Sequence, residues 1–582
     1  MKKMMKRGII YSLVLTAVAM GGFAAEVDKE VEVTRAYVPE VKGATKLRLT
    51  PDLTDDSYIK PDIDYSITPV SIETTLETAR YQPVSINLEE YEPQGRYYTK
   101  LGVGAPLQTV ADLYATPIVS SEGYLMGYLN QRGQFADRES NYGVGEDAVQ
   151  NYFRGGVAAG RRVLKRTLEG GVNYENERWS RYATDGDLDR YPLYQSIDFK
   201  GRYGDDFTNM QRLNFAVSGG AEYFWSRSDY YNGRFDVGAL VGRGFGGGEV
   251  VVGGGYRSVW GADDYLNNTL NIGAKYGARG ENWGVKVGFG FYNDRVSYSP
   301  HQVGCVALSD NDTRALWSGS GTGLDLDNRV GNYLVPDVEL SYNISGRMAV
   351  GYFRSEGELL YRDFATLSRE NPYIAAGLFS AESGVRYNTS LGVKGAINDG
   401  RLGYNLSLGY EAIKNNLYWV LVESWNGSAT DNAFLASYST QSSFSLNGSI
   451  EYQPLSNLNL WTEFKFASYD NDEMQVLADC EPSVELRLGA KYRLGNWRFG
   501  LDGELLGSRE CSWACYPYNW TTYDRVEIPA TFDLGVSVDY RVKRSMVIFA
   551  EARNLINDDL YRWVGYREYG INVMAGVKME LF

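Results

Sequence analysis

A strict alternation of side-chain character recurs through most of this chain and limits what it can fold into. In Trp283–Phe291 the odd positions are large and apolar, and the even positions are Gly or Lys. Leu402–Glu411 repeats the pattern, with Leu402, Tyr404, Leu406, Leu408 and Tyr410 set against Gly403, Asn405, Ser407, Gly409 and Glu411. In Val484–Leu494 the polar set is Glu485, Arg487, Lys491 and Arg493. Successive side chains on a strand point to opposite faces. A face of Glu, Arg and Lys cannot be the core of a soluble sandwich, and a face of Leu, Phe and Tyr on strand after strand must be covered. Lipid outside and a polar lumen inside satisfy both. The pattern predicts an all-β fold over residues 97–582, a transmembrane antiparallel β-barrel surrounded by outer-membrane lipid.

The N-terminus carries a matching address. Lys2, Lys3, Lys6 and Arg7 precede the apolar run Gly8–Met20, and small residues follow at Gly21, Gly22, Ala24 and Ala25. This is the order of a secretory signal peptide, and residues 1–24 are read as one. The run is short of the ~20 apolar residues a spanning helix needs. An exported chain without a helical span can still cross the outer membrane of a Gram-negative bacterium as strands.

Strands start near Tyr97, Val110, Tyr124, Asn151, Arg166, Gln195, Arg212, Gly233, Glu249, Thr269 and Trp283. Further starts fall near Tyr333, Met348, Gly384, Leu402, Phe434, Leu458, Ser483, Trp497, Pro529, Met546 and Trp563. That is about 22 strands, an even number as in bacterial single-chain barrels. Connections after even-numbered strands are short, such as Gly246–Gly248, Gly280–Asn282, Asn398–Gly400 and Leu494–Asn496. Several after odd-numbered strands are long: Arg132–Asp147, Tyr298–Asn332, Arg362–Gly384, Val420–Ala433 and Glu510–Glu527. Short turns are periplasmic and long loops lie at the surface, so both ends of the barrel segment face the periplasm. Leu486, Leu488, Val285, Phe289 and Leu406 are expected to face lipid. Lys286, Glu411, Glu485, Arg487, Lys491, Arg493, Asp533 and Asp539 are expected to face the lumen. A lumen this wide cannot be filled by its own inward side chains, so inward-folded surface loops, especially 298–332 and 362–384, are expected to close its outer mouth.

Net charge is −15, and −19 once the four leader cations are removed. Such a chain is a poor nucleic-acid binder. The one histidine, His301, leaves no Ser-His-Asp triad or His-type metal site to assemble. No phosphate-binding Gly motif stands between a strand and a helix. No enzyme activity and no cofactor are expected. Cys305, Cys480, Cys511 and Cys515 all fall in outer loops. Of the three pairings open to four cysteines, Cys511–Cys515 with Cys305–Cys480 is the one favoured. Aromatic loop residues Trp419, Trp425, Trp513, Tyr516, Tyr518 and Trp520 are candidate surface contacts, or else loop packing and interfacial girdle.

Residues 25–96 carry Pro39, Pro51, Pro61, Pro69, Pro83 and Pro93. Pro at such intervals opposes helix and central strand, so this segment reads as an extended periplasmic arm.

The C-terminal hairpin supplies a resemblance. Asn554-Leu555-Ile556-Asn557, then Tyr561, Gly565-Tyr566 and a last strand ending at Phe582 are similar to the end of a TonB-dependent receptor barrel, and the strand number is that family's size. The resemblance covers residues 97–582. It implies solute passage or uptake across the outer membrane. Glu30, Val31, Glu32, Val33 and Thr34 resemble the box by which such receptors pair a strand with TonB, so the arm is a candidate contact for a TonB-like or other periplasmic protein. Two features depart from the family: the segment before the first strand lacks the pattern of its N-terminal plug, and Phe582 is out of phase with Ile571, Val573, Ala575, Val577, Met579 and Leu581. The alternative is a structural or assembly subunit that binds periplasmic or surface lipoprotein partners.

Overall fold

The computed structural model describes residues 96–581, apart from 141–142, 146–147, 182–189, 229, 263–264, 298–328, 376–381, 423–432, 472–479 and 515–523. Among them, 24 strands join one sheet. Two of these, Arg509–Ala514 and Asp524–Ile528, form a loop hairpin whose first strand runs parallel to the end of Leu402–Val422. The other 22 pair antiparallel with their neighbours in a ring. The ring closes where the first strand, Tyr97–Ala105, pairs with the last, Asn572–Leu581, from Tyr97 opposite Leu581 to Ala105 opposite Val573.

Twenty-one strands begin within four residues of the positions the alternation assigns. The exception is the last, which begins at Asn572 rather than Trp563. Tyr561–Trp563 and Tyr566–Arg567 instead form a short hairpin of their own inside the final loop.

The end carrying the short turns is built on left-handed backbone. Gly246 and Gly247 have φ of 60° and 82°, and Leu164 and Lys165 have 51° and 67°. Such turns match the right-handed twist of the flanking strands. One connection at that end is longer, 205–213. It is anchored by Asp205, which is held by Arg166 at 3.1 Å and Arg212 at 3.0 Å.

The two faces separate by chemistry. Phe289, Leu406, Leu408, Phe444 and Leu581 belong to a belt of exposed apolar residues around the outside. The inner face carries cross-strand ion pairs: Lys286–Glu339 at 2.9 Å, Lys275–Asp337 at 2.6 Å, Arg487–Glu504 at 2.7 Å. A closed antiparallel barrel with an apolar exterior and polar interior is the outer-membrane architecture.

Most ring strands run 8 to 17 residues, but Leu402–Val422 has 21 and Ala433–Leu455 has 23. About 9–11 residues cross a bilayer, so these two rise well beyond it. Their upper ends enter a buried apolar cluster with Leu417, Leu421, Phe434 and Tyr438. A second packed feature lies at the closing seam. Phe549 points inward, opposite Asp539 and Gly576, and is 1% exposed. Lys100 and Lys578 hold their ammonium groups 4.5 and 5.0 Å from its ring centre. Gly102 and Gly576 make room for the ring: a Cβ on either would meet it at 2.8 or 2.7 Å.

Candidate functional site at the outer mouth

The segment 361–375 folds into the bore. Its core is the helix Phe364–Glu370. Asp363 is the N-cap, and its carboxylate accepts from the Thr366 amide at 2.7 Å, which satisfies one of the unpaired donors at a helix start. Asn371 ends the helix. Pro372 follows and disfavours a further helical turn. Phe364, Ala365, Leu367 and Ser368 are buried, as are Asn371, Tyr373, Ile374 and Ala375 beyond them.

Burial of a surface loop requires partners, and these come from widely separated parts of the ring. On one side, Arg257 reaches Asp363 at 3.3 Å and Asn232 accepts from the Ala365 amide at 3.0 Å. The Tyr194 hydroxyl donates to the Pro372 carbonyl at 2.9 Å, and Gln150 donates to the Tyr373 hydroxyl at 2.8 Å. Arg181, just past the strand Arg166–Arg178, donates to the Ile374 carbonyl at 2.6 Å. On the other side, the Ala375 amide donates to Phe434 and the Phe434 amide to Tyr373, at 2.9 and 3.1 Å. The Trp419 indole donates to Glu370 at 3.0 Å. From the final loop, Tyr566 stacks on Tyr373 with ring centres 3.6 Å apart. One segment that touches strands on both sides of its own exit point lies across the lumen.

Arg369 is the most heavily engaged residue of the segment. Its guanidinium lies 3.4 Å from Glu175, donates to Ser196 at 3.0 Å, pairs closely with Glu222, and sits 5.6 Å from the Phe224 ring centre. Burial works against its charge, but Glu222 and Glu175 outweigh that and hold the group fully protonated. Burial also pushes up the Asp363 carboxyl, yet Arg257 and the two Thr366 bonds prevail and hold it below the ordinary carboxylate range. Burial pushes the Tyr373 hydroxyl well above its usual value. Removing one partner of a buried pair leaves an uncompensated charge and costs about 3–5 kcal/mol, so these contacts hold the helix against the wall.

Several sequence-derived site residues make contacts across neighbouring strands. Glu411 meets Arg386 at 3.2 Å, Glu485 meets Lys465 at 3.3 Å and Asp539 meets Lys578 at 2.9 Å. Asp533 accepts from the Asn554 amide at 2.8 Å. Lys491 is opposite Gly500 and Arg493 opposite Arg498. Lys286 and Arg487 form the pairs given above. These residues are dispersed around the wall and do not converge on one point.

Trp419 is 8% exposed and packs near Trp563. Trp513 lies in the loop hairpin. Trp425, Tyr516, Tyr518 and Trp520 lie outside the described residues, as do Glu30, Val31, Glu32, Val33 and Thr34. The disulfide is Cys480–Cys511, which corrects the pairings Cys511–Cys515 and Cys305–Cys480. Its cause is the loop hairpin: the Cys480 amide donates to the Glu510 carbonyl at 3.0 Å and brings the two Cα atoms to 4.3 Å. Cys305 and Cys515 lie outside the described residues.

Sequence reasoning identified the loop but not Arg369, Glu175 or Glu222. The available signal was the helix cap itself, Asp363-Phe364-Ala365-Thr366, followed by Leu367, Tyr373 and Ile374. A capped turn with so many apolar residues is costly to leave in water.

No family model matches the chain, and no curated protein sequence is similar to it. Solved structures are similar. The ferric-catecholate import receptor Fiu from Escherichia coli K12, closed form, is 10% identical; the alignment covers 84% of this chain and 82% of Fiu, with a TM-score of 0.60. The pyoverdine outer-membrane receptor FpvA from Pseudomonas aeruginosa PAO1, bound to pyoverdine, is 10% identical over 85% of this chain and 79% of its own, with a TM-score of 0.59. The copper transporter OprC is 14% identical over 84% and 82%, at 0.60. At these identities the likeness is one of fold, and that fold is the 22-strand barrel of TonB-dependent receptors.

Proposed function

We propose that this barrel is a gated passage for solutes across the outer membrane of a Gram-negative bacterium, held shut at its outer mouth by its own segment 361–375. The observation that carries the reading is the loop's course across the lumen, fixed by Arg257–Asp363 and Arg369–Glu222 on one wall and by Phe434 and Trp419 on the other. A barrel of this size is too wide to be sealed by its inward side chains, so a loop that spans it decides whether it conducts. Ion pairs suit a gate, because a competing charge can replace them. The import receptor and transporters of like fold support the assignment by analogy only. Glu30–Thr34 would then be the place where a periplasmic TonB-like protein pairs a strand with the chain.

Conductance in planar bilayers tests the proposal. The unaltered chain should be closed or give small steps, and a chain with residues 363–375 replaced by a short Gly-Ser linker should give large, steady ones. Equal conductance from both would refute the gate. Isolation in mild detergent with stoichiometric partners, together with absent conductance in both, would favour the structural-subunit reading.

A further inference from the structure

The contacts of Arg369 describe a receptor as well as a latch. Glu175, Ser196, Glu222 and Phe224 all belong to the barrel wall, on three adjacent strands, Arg166–Arg178, Leu193–Gly204 and Asn214–Ser226. Together they provide what a guanidinium requires: two carboxylates, a hydroxyl acceptor at 3.0 Å and an aromatic ring. The wall groups are themselves pre-set. Ser196 and Phe224 are each 2% exposed, Tyr152 donates to Glu175 at 2.9 Å, and Arg234 holds the other oxygen of Glu222 at 3.1 Å. Beside Arg369 lies a cavity with room for about one water molecule, also lined by Glu177 and Gln195.

We infer that this wall pocket is a binding site for the guanidinium end of a solute, and that Arg369 occupies it as the chain's own stand-in for that solute. The inference rests on the gated-passage reading. With Arg369 withdrawn, Glu175 keeps Tyr152 and the field of Arg154, and Glu177 keeps Trp179 and the field of Arg562, but the buried Glu222 loses one of its two cation partners and keeps only Arg234, which is unfavourable for a buried carboxylate. An incoming guanidinium removes that penalty and Arg369 cannot re-enter while it is bound. The solute is thereby both the cargo and the key to the gate. A metal ion is a poorer fit, because among the described residues no three His, Cys, Asp or Glu side chains are grouped to hold one. Two carboxylates aimed at different guanidinium nitrogens, with an aromatic ring alongside, favour guanidinium over a simple ammonium.

The probe is butylguanidinium, with butylurea as its uncharged isostere. Binding is measured by calorimetry on the full chain in detergent, with bilayer conductance in parallel. Arg369→Ala should bind butylguanidinium at least tenfold more tightly than the unaltered chain, should not bind butylurea, and should lose the gain in Arg369→Ala/Glu175→Gln/Glu222→Gln. The unaltered chain should open on adding butylguanidinium to the outer side and not on adding butylurea. If Arg369→Ala conducts freely but shows no guanidinium binding, the pocket is only a latch and the inference is overturned while the gate stands. If neither Arg369→Ala nor the loop replacement conducts, the gate reading itself has failed. Should Arg369→Ala not fold, as judged by loss of heat-modifiable gel mobility, the conductance response of the unaltered chain decides: no difference between the two probes overturns the inference.

Discussion

Arg257 and Asp363 stand 3.3 Å apart, so the strand Gly248–Gly261 holds the cap of a helix that enters the bore from beyond the strand Ala349–Leu360. The pair links the start of the helix to the wall and makes its docking depend on a buried carboxylate.

Acid should open the gate. Asp363 is held below its ordinary range, so it supports docking at pH above about 4 and loses that support as pH falls through its depressed value. Bilayer conductance followed from pH 7 downward should be flat to about pH 4 and rise below it. Asp363→Asn should abolish this step and weaken closure at neutral pH by about 3–5 kcal/mol. An unchanged acid response in Asp363→Asn would place the titrating group elsewhere.

The seam should depend on Phe549. Its ring fills the inner face between Lys100 and Lys578 where the first and last strands meet. Phe549→Ala should cost about 3–5 kcal/mol, seen as a lower urea midpoint for loss of heat-modifiable mobility. Gly102→Val should act in the same direction, since its Cβ would meet the ring at 2.8 Å.

The disulfide should be mapped by non-reducing digestion and mass spectrometry, which should recover a cross-linked peptide containing Cys480 and Cys511. A bridge across 31 residues is worth about 2–4 kcal/mol. Reduction or Cys511→Ser should therefore speed proteolysis in the outer loops and leave the ring strands protected.

The lipid-facing belt predicts where charge is not tolerated. Leu406 is 49% exposed within the apolar belt, and Leu406→Arg should cost roughly 2–4 kcal/mol if it lies at mid-bilayer. Leu488→Arg should behave alike. The yield of folded, heat-modifiable barrel in membranes measures the effect; a normal yield would put these residues off the lipid face.

The turn at Leu164–Lys165 holds two ordinary residues at positive φ, 51° and 67°. Each costs about 1–2 kcal/mol relative to Gly. Leu164→Asn/Lys165→Gly should raise the urea midpoint; a fall would mean that these side chains serve a contact the turn itself does not reveal.

The ring was legible in the sequence because its rule is local. Each strand must satisfy lipid on one side and a wet lumen on the other, and that requirement is written at every second residue. Val484–Leu494 needs no knowledge of its neighbours to show it. The segment that crosses the bore was not legible in detail. Arg369 and Glu222 are 147 residues apart, and Arg181 and Ile374 are 193 apart, with no repeat to link them. Tyr561 and Trp563 alternate like the start of a strand, which places the expected last strand nine residues too early. The cysteine pairing depended on a loop hairpin that only the fold brings into place.

The seam also sets a constraint on how the molecule is made. Lys100 and Glu551 meet at 3.2 Å although 451 residues separate them in the chain. All other ring pairings join strands consecutive around the wall, while this one alone joins the two ends of the strand order. Its entropic cost is the largest in the structure, and it gains nothing until both edges exist. Until then the unfinished sheet presents two long edges able to accept any foreign strand. Both edges therefore stay exposed until the first and last strands pair and Phe549 takes its place between the two lysines.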